Sequence, residues 1–82
     1  MKRNILVRVY DSHGKPAYYA RVNIFISMAG IGGGNMEKYT NHDGEVEFVL
    51  DGYDEHAQIS VSVNGSEKYQ RGPIRGEYRC AI

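Results

Sequence analysis

The 82-residue sequence contains one cysteine, two prolines and no tryptophan. Because Cys80 has no second cysteine to pair with, the class of small secreted proteins held together by internal disulfides is excluded. Lysine plus arginine number 10, and aspartate plus glutamate also number 10, so the formal net charge is zero. Nucleic-acid-binding domains usually carry an excess of basic residues, and this sequence has none.

The sequence also lacks a long apolar run. No segment approaches the ~20 apolar residues that a membrane-spanning helix requires. Near the amino terminus the apolar residues alternate with Asn4, Arg8 and Tyr10, a pattern that indicates a strand rather than a signal peptide. We therefore expect a cytoplasmic protein, and export without a signal peptide stays open because it would leave no trace here.

The sequence does contain a repeated alternation of apolar and polar residues. No part of it has a convincing 3.6-residue helical period, so we predict one all-β domain over residues 1–82, a seven-stranded antiparallel β-sandwich. The predicted strands run from about Asn4 to Tyr10, Ala20 to Ser27, Met36 to Thr40, Glu45 to Leu50, His56 to Val63, Ser66 to Gln70 and Glu77 to Ile82.

Every second residue of these strands is predicted to face the core. On the opposite face of its strand, Phe25 is a large apolar side chain that needs a cover or a partner. In the first strand Ile5, Val7 and Val9 share one face, and Leu6, Arg8 and Tyr10 share the other. The residues predicted to point inward in the other strands are Ala20, Val22, Ile24, Ile26, Val46, Phe48, Leu50, Ala57, Ile59, Val61, Val63, Tyr78, Cys80 and Ile82.

Three turns are predicted from local chemistry. Asp11–Gly14 and Asn41–Gly44 each begin with Asp or Asn and end with glycine, the residues that fit the first and fourth positions of a type I turn. Asn64–Gly65 is the dipeptide preferred in two-residue type I′ hairpins.

The residues around the first two turns carry a resemblance. Val9–Asp11, His13–Ala17 and Ala20–Val22 resemble the opening of transthyretin-like domains, and Thr40–Gly44 with its following alternating strand completes the pattern. The same pattern marks bacterial carboxypeptidase regulatory-like modules. The resemblance covers about residues 5–63 and implies a transthyretin-like (prealbumin-like) topology. It implies less about function, because one fold serves many functions.

One branch of this superfamily hydrolyses 5-hydroxyisourate. Its pattern has a His in the first strand, an Arg after the Thr-Asn-x-Asp-Gly turn, and Tyr-Arg-Gly-Ser at the carboxyl end. Here the first strand has no His, and Glu45 stands where the pattern has Arg after the turn. Near the carboxyl end the sequence reads Tyr78-Arg79-Cys80-Ala81, without the Gly and Ser of the pattern. We therefore predict that the protein is not an enzyme and needs no cofactor, like the non-catalytic carboxypeptidase-associated modules.

Three features that suggest chemistry have simpler interpretations. The glycine-rich segment 29–35 lacks the Gly-Lys-Ser/Thr and the helix of a phosphate-binding loop, so we predict a flexible connection. His13 and His42 are predicted at the same end of the sandwich, where a weak metal site stays open, but we expect solvated turn residues and no bound metal. Cys80 is predicted to be a buried, inert thiol.

Seven tyrosines give the chain its most unusual composition. Tyr18, Tyr19, Tyr53 and Tyr69 lie at or near predicted loops, where tyrosine either contacts partners or caps a small core. We predict a non-catalytic binding or structural module that presents loops or sheet edges to a protein partner. A carbohydrate-binding module with tyrosine platforms and a degenerate hydroxyisourate hydrolase are the alternatives.

The predicted partner site lies at one end of the sandwich. If successive connections alternate between the ends, segments 29–35, 51–55 and 71–76 gather there. The residues predicted to bind the partner are Tyr53, Arg71, Arg75, Gly32 and Gly33. The last strand, about Glu77 to Ile82, has no segment after it to cover its edge, so self-association through a strand edge is also predicted. Neither a nucleic acid nor a membrane is expected as a partner.

Overall fold

In a computed structural model, which describes residues 2–28, 32–53 and 56–82, the chain folds into two β-sheets and contains no helix within those ranges. One sheet has three strands in the order β4-β1-β7, and the other has four in the order β3-β2-β5-β6. The strands are β1 Lys2–Tyr10, β2 Arg21–Met28, β3 Gly32–Tyr39, β4 Glu45–Asp51, β5 Gln58–Val63, β6 Ser66–Pro73 and β7 Glu77–Ala81. The prediction of an all-β fold with seven strands is confirmed.

One strand pair departs from the antiparallel prediction. β1 and β7 run parallel, with Leu6 opposite Glu77 and Tyr10 opposite Ala81, whereas the other pairs are antiparallel. The cause is the alternation of strand direction along the chain. The first and the seventh strand point the same way, so a seventh strand that fills the open side of β1 must lie parallel to it.

The core lies between the two sheets and takes one face of each. All but one of the residues predicted to point inward are buried, among them Ile24, Phe48 and Val61 with no exposed surface. In β1 the buried face is that of Ile5, Val7 and Val9. Ile82 was predicted to point inward, and this prediction is wrong, since its side chain is 43% exposed. The strand ladder ends with the Tyr10–Ala81 pair, so Ile82 extends beyond the core.

The glycine-rich segment is also different from its prediction. Residues 32–35 belong to β3 and pair with β2, and residues 29–31 lie outside the described part of the chain. A Cβ atom on Gly33 would overlap the carbonyl group of Ile26. Glycine is therefore present here because the two strands approach closely, and a loop throughout this segment was the wrong prediction.

Arg71 and Pro73 likewise lie in β6 rather than in the predicted loop. Pro73 ends an edge strand, where its missing N–H is tolerated.

The three predicted turns are confirmed. In the first two, the side-chain oxygen of Asp11 or Asn41 accepts two backbone N–H groups at 2.8–3.0 Å. Each turn closes on a glycine with a left-handed backbone, with φ 76° at Gly14 and 72° at Gly44. Both residues of Asn64–Gly65 have positive φ, 51° and 84°, as a type I′ hairpin requires.

Two side chains join the edge strands of the two sheets. The Tyr69 hydroxyl of β6 donates to the Arg79 carbonyl of β7 at 2.9 Å and accepts the Arg79 N–H at 3.2 Å. On the opposite side, Lys38 Nζ donates to the Glu47 carbonyl of β4 at 2.9 Å. The edge of β7 is thus covered at its centre, contrary to prediction. Self-association through a strand edge stays a prediction.

The predicted strand faces can be tested with one pair of substitutions. Phe48 is the largest fully buried side chain, so Phe48→Ala is expected to lower the free energy of unfolding by ~3–5 kcal/mol. Phe25→Ala is the matched control, because Phe25 is 45% exposed and its loss should cost less than ~1 kcal/mol. Chemical denaturation measures both. Equal losses from the two variants would contradict the assignment of faces.

Tyr69→Phe tests the cover over the β7 edge. The variant removes the two hydrogen bonds to Arg79, so we expect a loss of ~1 kcal/mol and faster amide exchange at Arg79. Tyr53→Phe is the control, because the Tyr53 hydroxyl makes no hydrogen bond to the described part of the chain. If the Arg79 amide exchanges at the wild-type rate in Tyr69→Phe, the hydroxyl does not protect this edge.

Candidate binding surface

Thr40 anchors one end of the sandwich. Its side chain is 2% exposed, and it is the one buried polar residue in the described ranges. The hydroxyl donates to the Ala17 carbonyl at 2.6 Å and accepts the Ala20 N–H at 2.8 Å. The Thr40 backbone adds two bonds, donating to the Ala20 carbonyl at 3.0 Å and accepting the Tyr19 N–H at 3.1 Å. The segment that enters β2 is therefore tied to the residue that leaves β3.

Two tyrosines beside this anchor are exposed to solvent. Ala17 and Ala20 are buried, at 8% and 4% exposed, and both are bonded to Thr40. Between them, Tyr18 is 58% exposed and Tyr19 is 64% exposed. Tyr19 has a φ of 60°, a left-handed conformation that costs a residue with a side chain roughly 1–2 kcal/mol. The surrounding hydrogen bonds maintain this conformation and so determine where both rings lie.

The exposed rings contact one another. The Tyr19 ring stacks on Tyr39 with centroids 4.5 Å apart and planes 8° from parallel. The Tyr18 ring stacks on His42 at 4.1 Å and 4°, and it lies 5.8 Å from the Tyr19 ring. We call Tyr18, Tyr19 and Tyr39, with His42 beside them, the tyrosine row.

The tyrosine row is a concentration of exposed apolar surface. Six large apolar side chains are exposed within the described ranges, and three of them belong to the row. Scattered exposed apolar residues are normal, whereas a contiguous group indicates an interaction site. The exposed large apolar residues are Tyr18, Tyr19, Phe25, Tyr39, Val49 and Ile82.

The outer face of the four-stranded sheet continues from the row. Arg21 lies opposite Tyr39, Asn23 lies between Glu37 and Ser62, and Phe25 lies between Asn35 and Ser60. A depression of about 360 Å³ opens on this face, and we call it the sheet-face depression. It is lined by Arg21, Asn23, Phe25, Glu37, Ser62 and Gly65.

The five residues predicted to bind a partner have different surroundings. Tyr53 packs against the core, and the Arg75 guanidinium lies over the Tyr69 ring at 5.6 Å. Arg71 lines a depression of about 320 Å³ together with Ser27, Met28, His56 and Gln58. Gly32 and Gly33 are paired with β2. A role for these five residues in partner binding stays a prediction, although Gly32 and Gly33 lie in a strand rather than in the predicted mobile loop.

The structure shows the surroundings of His13, His42 and Cys80. His13 and His42 are exposed turn residues, and the described ranges contain no group of three or more His, Cys, Asp or Glu able to hold a metal. Cys80 is 2% exposed, which confirms the prediction of a buried thiol. Burial raises the pKa of the Cys80 thiol to about 11.

Glu45, which follows the turn where the resembling hydrolases have an arginine, belongs to a chain of ion pairs. Arg8 Nη1 lies 2.9 Å from Glu45 Oε2, and Arg8 Nε lies 3.3 Å from Glu77 Oε1. Arg79 Nε completes the chain at 2.9 Å from Glu77 Oε2. The hydrogen bond from Arg79 is the main reason why the pKa of Glu77 is lowered. The charge of Glu45 is thus compensated within the three-stranded sheet.

Sequence reasoning missed the cause of the tyrosine row. The Ala-Tyr-Tyr-Ala pattern at residues 17–20 was a usable signal, since two small residues flank two large ones. No local signal pointed to the left-handed conformation of Tyr19, which glycine or asparagine would normally adopt. The hydrogen bonds from the Thr40 hydroxyl to this segment span 20 and 23 positions and follow only from the assembled sheets.

Comparisons with known protein families and with curated proteins find no relative of this chain. No model of a known protein family matches the chain, and a search of curated proteins finds no similar sequence. The transthyretin-like resemblance therefore stays a prediction. Within residues 2–28, 32–53 and 56–82, no helix has the length and apolar character needed to cross a membrane.

The Cys80 thiol provides a test of burial by chemistry. Its pKa is about 11 in the folded protein against an ordinary 9.0, so at pH 8 the thiolate fraction should be ~100-fold lower than in the unfolded chain. Reaction with Ellman's reagent is expected to be slow in buffer and fast in guanidinium. Because only the unfolded thiol ionises between pH 9 and 11, stability should also fall as the pH rises through that range. Equal rates in buffer and denaturant would show an accessible thiol.

Proposed function

We propose that the protein is a non-catalytic binding module that docks a protein partner on the tyrosine row. The observation that supports this is the group of three exposed tyrosines, held in ring contact beside the Thr40 anchor. Tyrosine is enriched among the residues that dominate the free energy of protein interfaces. Side chains already fixed before binding lose little conformational entropy when the partner arrives.

The arrangement of the rings favours a protein over a sugar platform at this end. A platform of several rings is flat, but the Tyr18 and Tyr19 planes are tilted by 50° to each other and each ring has one face covered by a neighbouring ring. What the row presents instead is a mixture of ring edges, remaining ring faces and hydroxyl groups. Such a surface suits a partner that combines apolar side chains with hydrogen-bonding groups around them.

We further propose that the sandwich has the transthyretin-like topology and belongs with the carboxypeptidase regulatory-like modules. The two turns that carry the resemblance, Asp11–Gly14 and Asn41–Gly44, have the Asx geometry predicted for them. Thr40, the first residue of the second motif, is the buried anchor of that end. A non-catalytic role is supported by the ion pair between Glu45 and Arg8.

The proposed docking surface can be tested by comparing the affinities of variants at the two ends of the sandwich. Tyr18→Ser with Tyr19→Asn removes both rings, and Asn is chosen because it tolerates the left-handed backbone of position 19. Proteins retained from a lysate by the wild type are identified, and the affinity of each purified candidate is then measured. We expect the double variant to weaken binding by ~30-fold or more.

Two controls accompany this measurement. Val49→Ser alters an exposed apolar residue on the other sheet and should leave affinity unchanged. A triple change of Tyr53, Arg71 and Arg75 to Ala alters the opposite end. If the triple variant loses the partner while the double variant keeps it, the tyrosine row is not the docking surface.

A further inference from the structure

Phe25 is an apolar side chain in an otherwise polar surface. It lies in the middle of β2, an interior strand, and is 45% exposed on the solvent face of the sheet. Its cross-strand neighbours are Asn35 and Ser60. No other aromatic ring contacts it within the described part of the chain, and it lines the sheet-face depression.

Polar groups line the sheet-face depression together with this ring. The Asn23 amide donates to Glu37 Oε2 at 3.1 Å, which orients both planar groups and leaves the Asn23 carbonyl oxygen and Glu37 Oε1 as acceptors. The Arg21 guanidinium makes no ion pair within the described residues, so its donors are available. Ser62 adds a hydroxyl, and the Arg21 guanidinium lies beside Gly65.

We propose that the sheet-face depression binds one pyranose ring of a neutral carbohydrate. The apolar C–H face of a pyranose packs against an open aromatic face, while its equatorial hydroxyls both donate and accept hydrogen bonds at the ring edge. Phe25, which is 45% exposed, supplies the aromatic ring. Asn23 lies two residues away along β2, about 7 Å, within reach of the hydroxyls of a sugar on Phe25. The depression, at about 360 Å³, falls in the size range of small-ligand sites.

The charges around the depression favour a neutral ligand. Arg21 and Glu37 both line it, so an anionic ligand would approach the carboxylate and a cationic ligand would approach the guanidinium. Both side chains hydrogen-bond to a neutral hydroxyl, the guanidinium as donor and the carboxylate as acceptor. This site differs from the tyrosine row in residues and in ligand, so neither proposal requires the other.

The experiment is an NMR titration of the ¹⁵N-labelled protein with neutral monosaccharides and disaccharides, with glycerol as a control solute. We expect one saccharide to shift the amide signals of Asn23, Phe25 and Ser62 with a Kd of about 1 mM, and glycerol to shift none. Phe25→Ala should weaken that binding by ~10-fold or more, whereas Phe25→Tyr should retain it. Val49→Ala is the matched control on the other sheet and should bind like the wild type.

Three outcomes would overturn the proposal. They are no saccharide-dependent shift at ~50 mM, shifts confined to Tyr18, Tyr19 and Tyr39, or an unchanged affinity in Phe25→Ala. The first and third outcomes leave partner docking on the tyrosine row unaffected, because Phe25 plays no part in it, whereas the second would place the sugar on the row itself.

Discussion

The exposed surface at one end of this sandwich depends on the hydroxyl of Thr40. A buried hydroxyl is costly unless its hydrogen-bonding capacity is used, and here it both donates and accepts. Both bonds go to the four-residue segment 17–20, one at each end, so that segment has little freedom. Tyr18 and Tyr19 lie between the two bonded alanines and must turn outward. One buried polar group therefore converts a connection between sheets into a fixed aromatic surface.

Most of the core and the turns could be predicted from the sequence, because both depend on local chemistry. The two-residue period identified the buried faces of β2 and β4, and an Asx residue followed by glycine identified two turns. Predictions failed where distant segments decide the outcome. The parallel pairing of β7 depends on which edge of β1 is left open, and the pairing of β3 with β2 through Gly33 depends on a close approach of the two backbones. Ile82 is exposed because the neighbouring strand β1 ends at Tyr10, which pairs with Ala81.

The two candidate surfaces differ in what their aromatic rings have available. In the tyrosine row, stacking uses part of the ring faces and presents edges and hydroxyls. In the sheet-face depression, Phe25 is 45% exposed, with an oriented amide and carboxylate among the lining residues. The first arrangement suits a protein surface and the second suits a single sugar ring. The register that places Arg21 opposite Tyr39 makes these surfaces neighbours on one side of the molecule.

The most direct test of the Thr40 account is to remove its hydroxyl without changing its size. Thr40→Val eliminates both side-chain hydrogen bonds, whereas Thr40→Ser retains the hydroxyl and serves as the control. Ring-to-ring nuclear Overhauser contacts between Tyr19 and Tyr39 and between Tyr18 and His42 report the row. The account predicts that these contacts weaken or disappear in Thr40→Val while the strand amides keep their shifts, and that Thr40→Ser preserves them. Wild-type ring contacts in a folded Thr40→Val protein would contradict it.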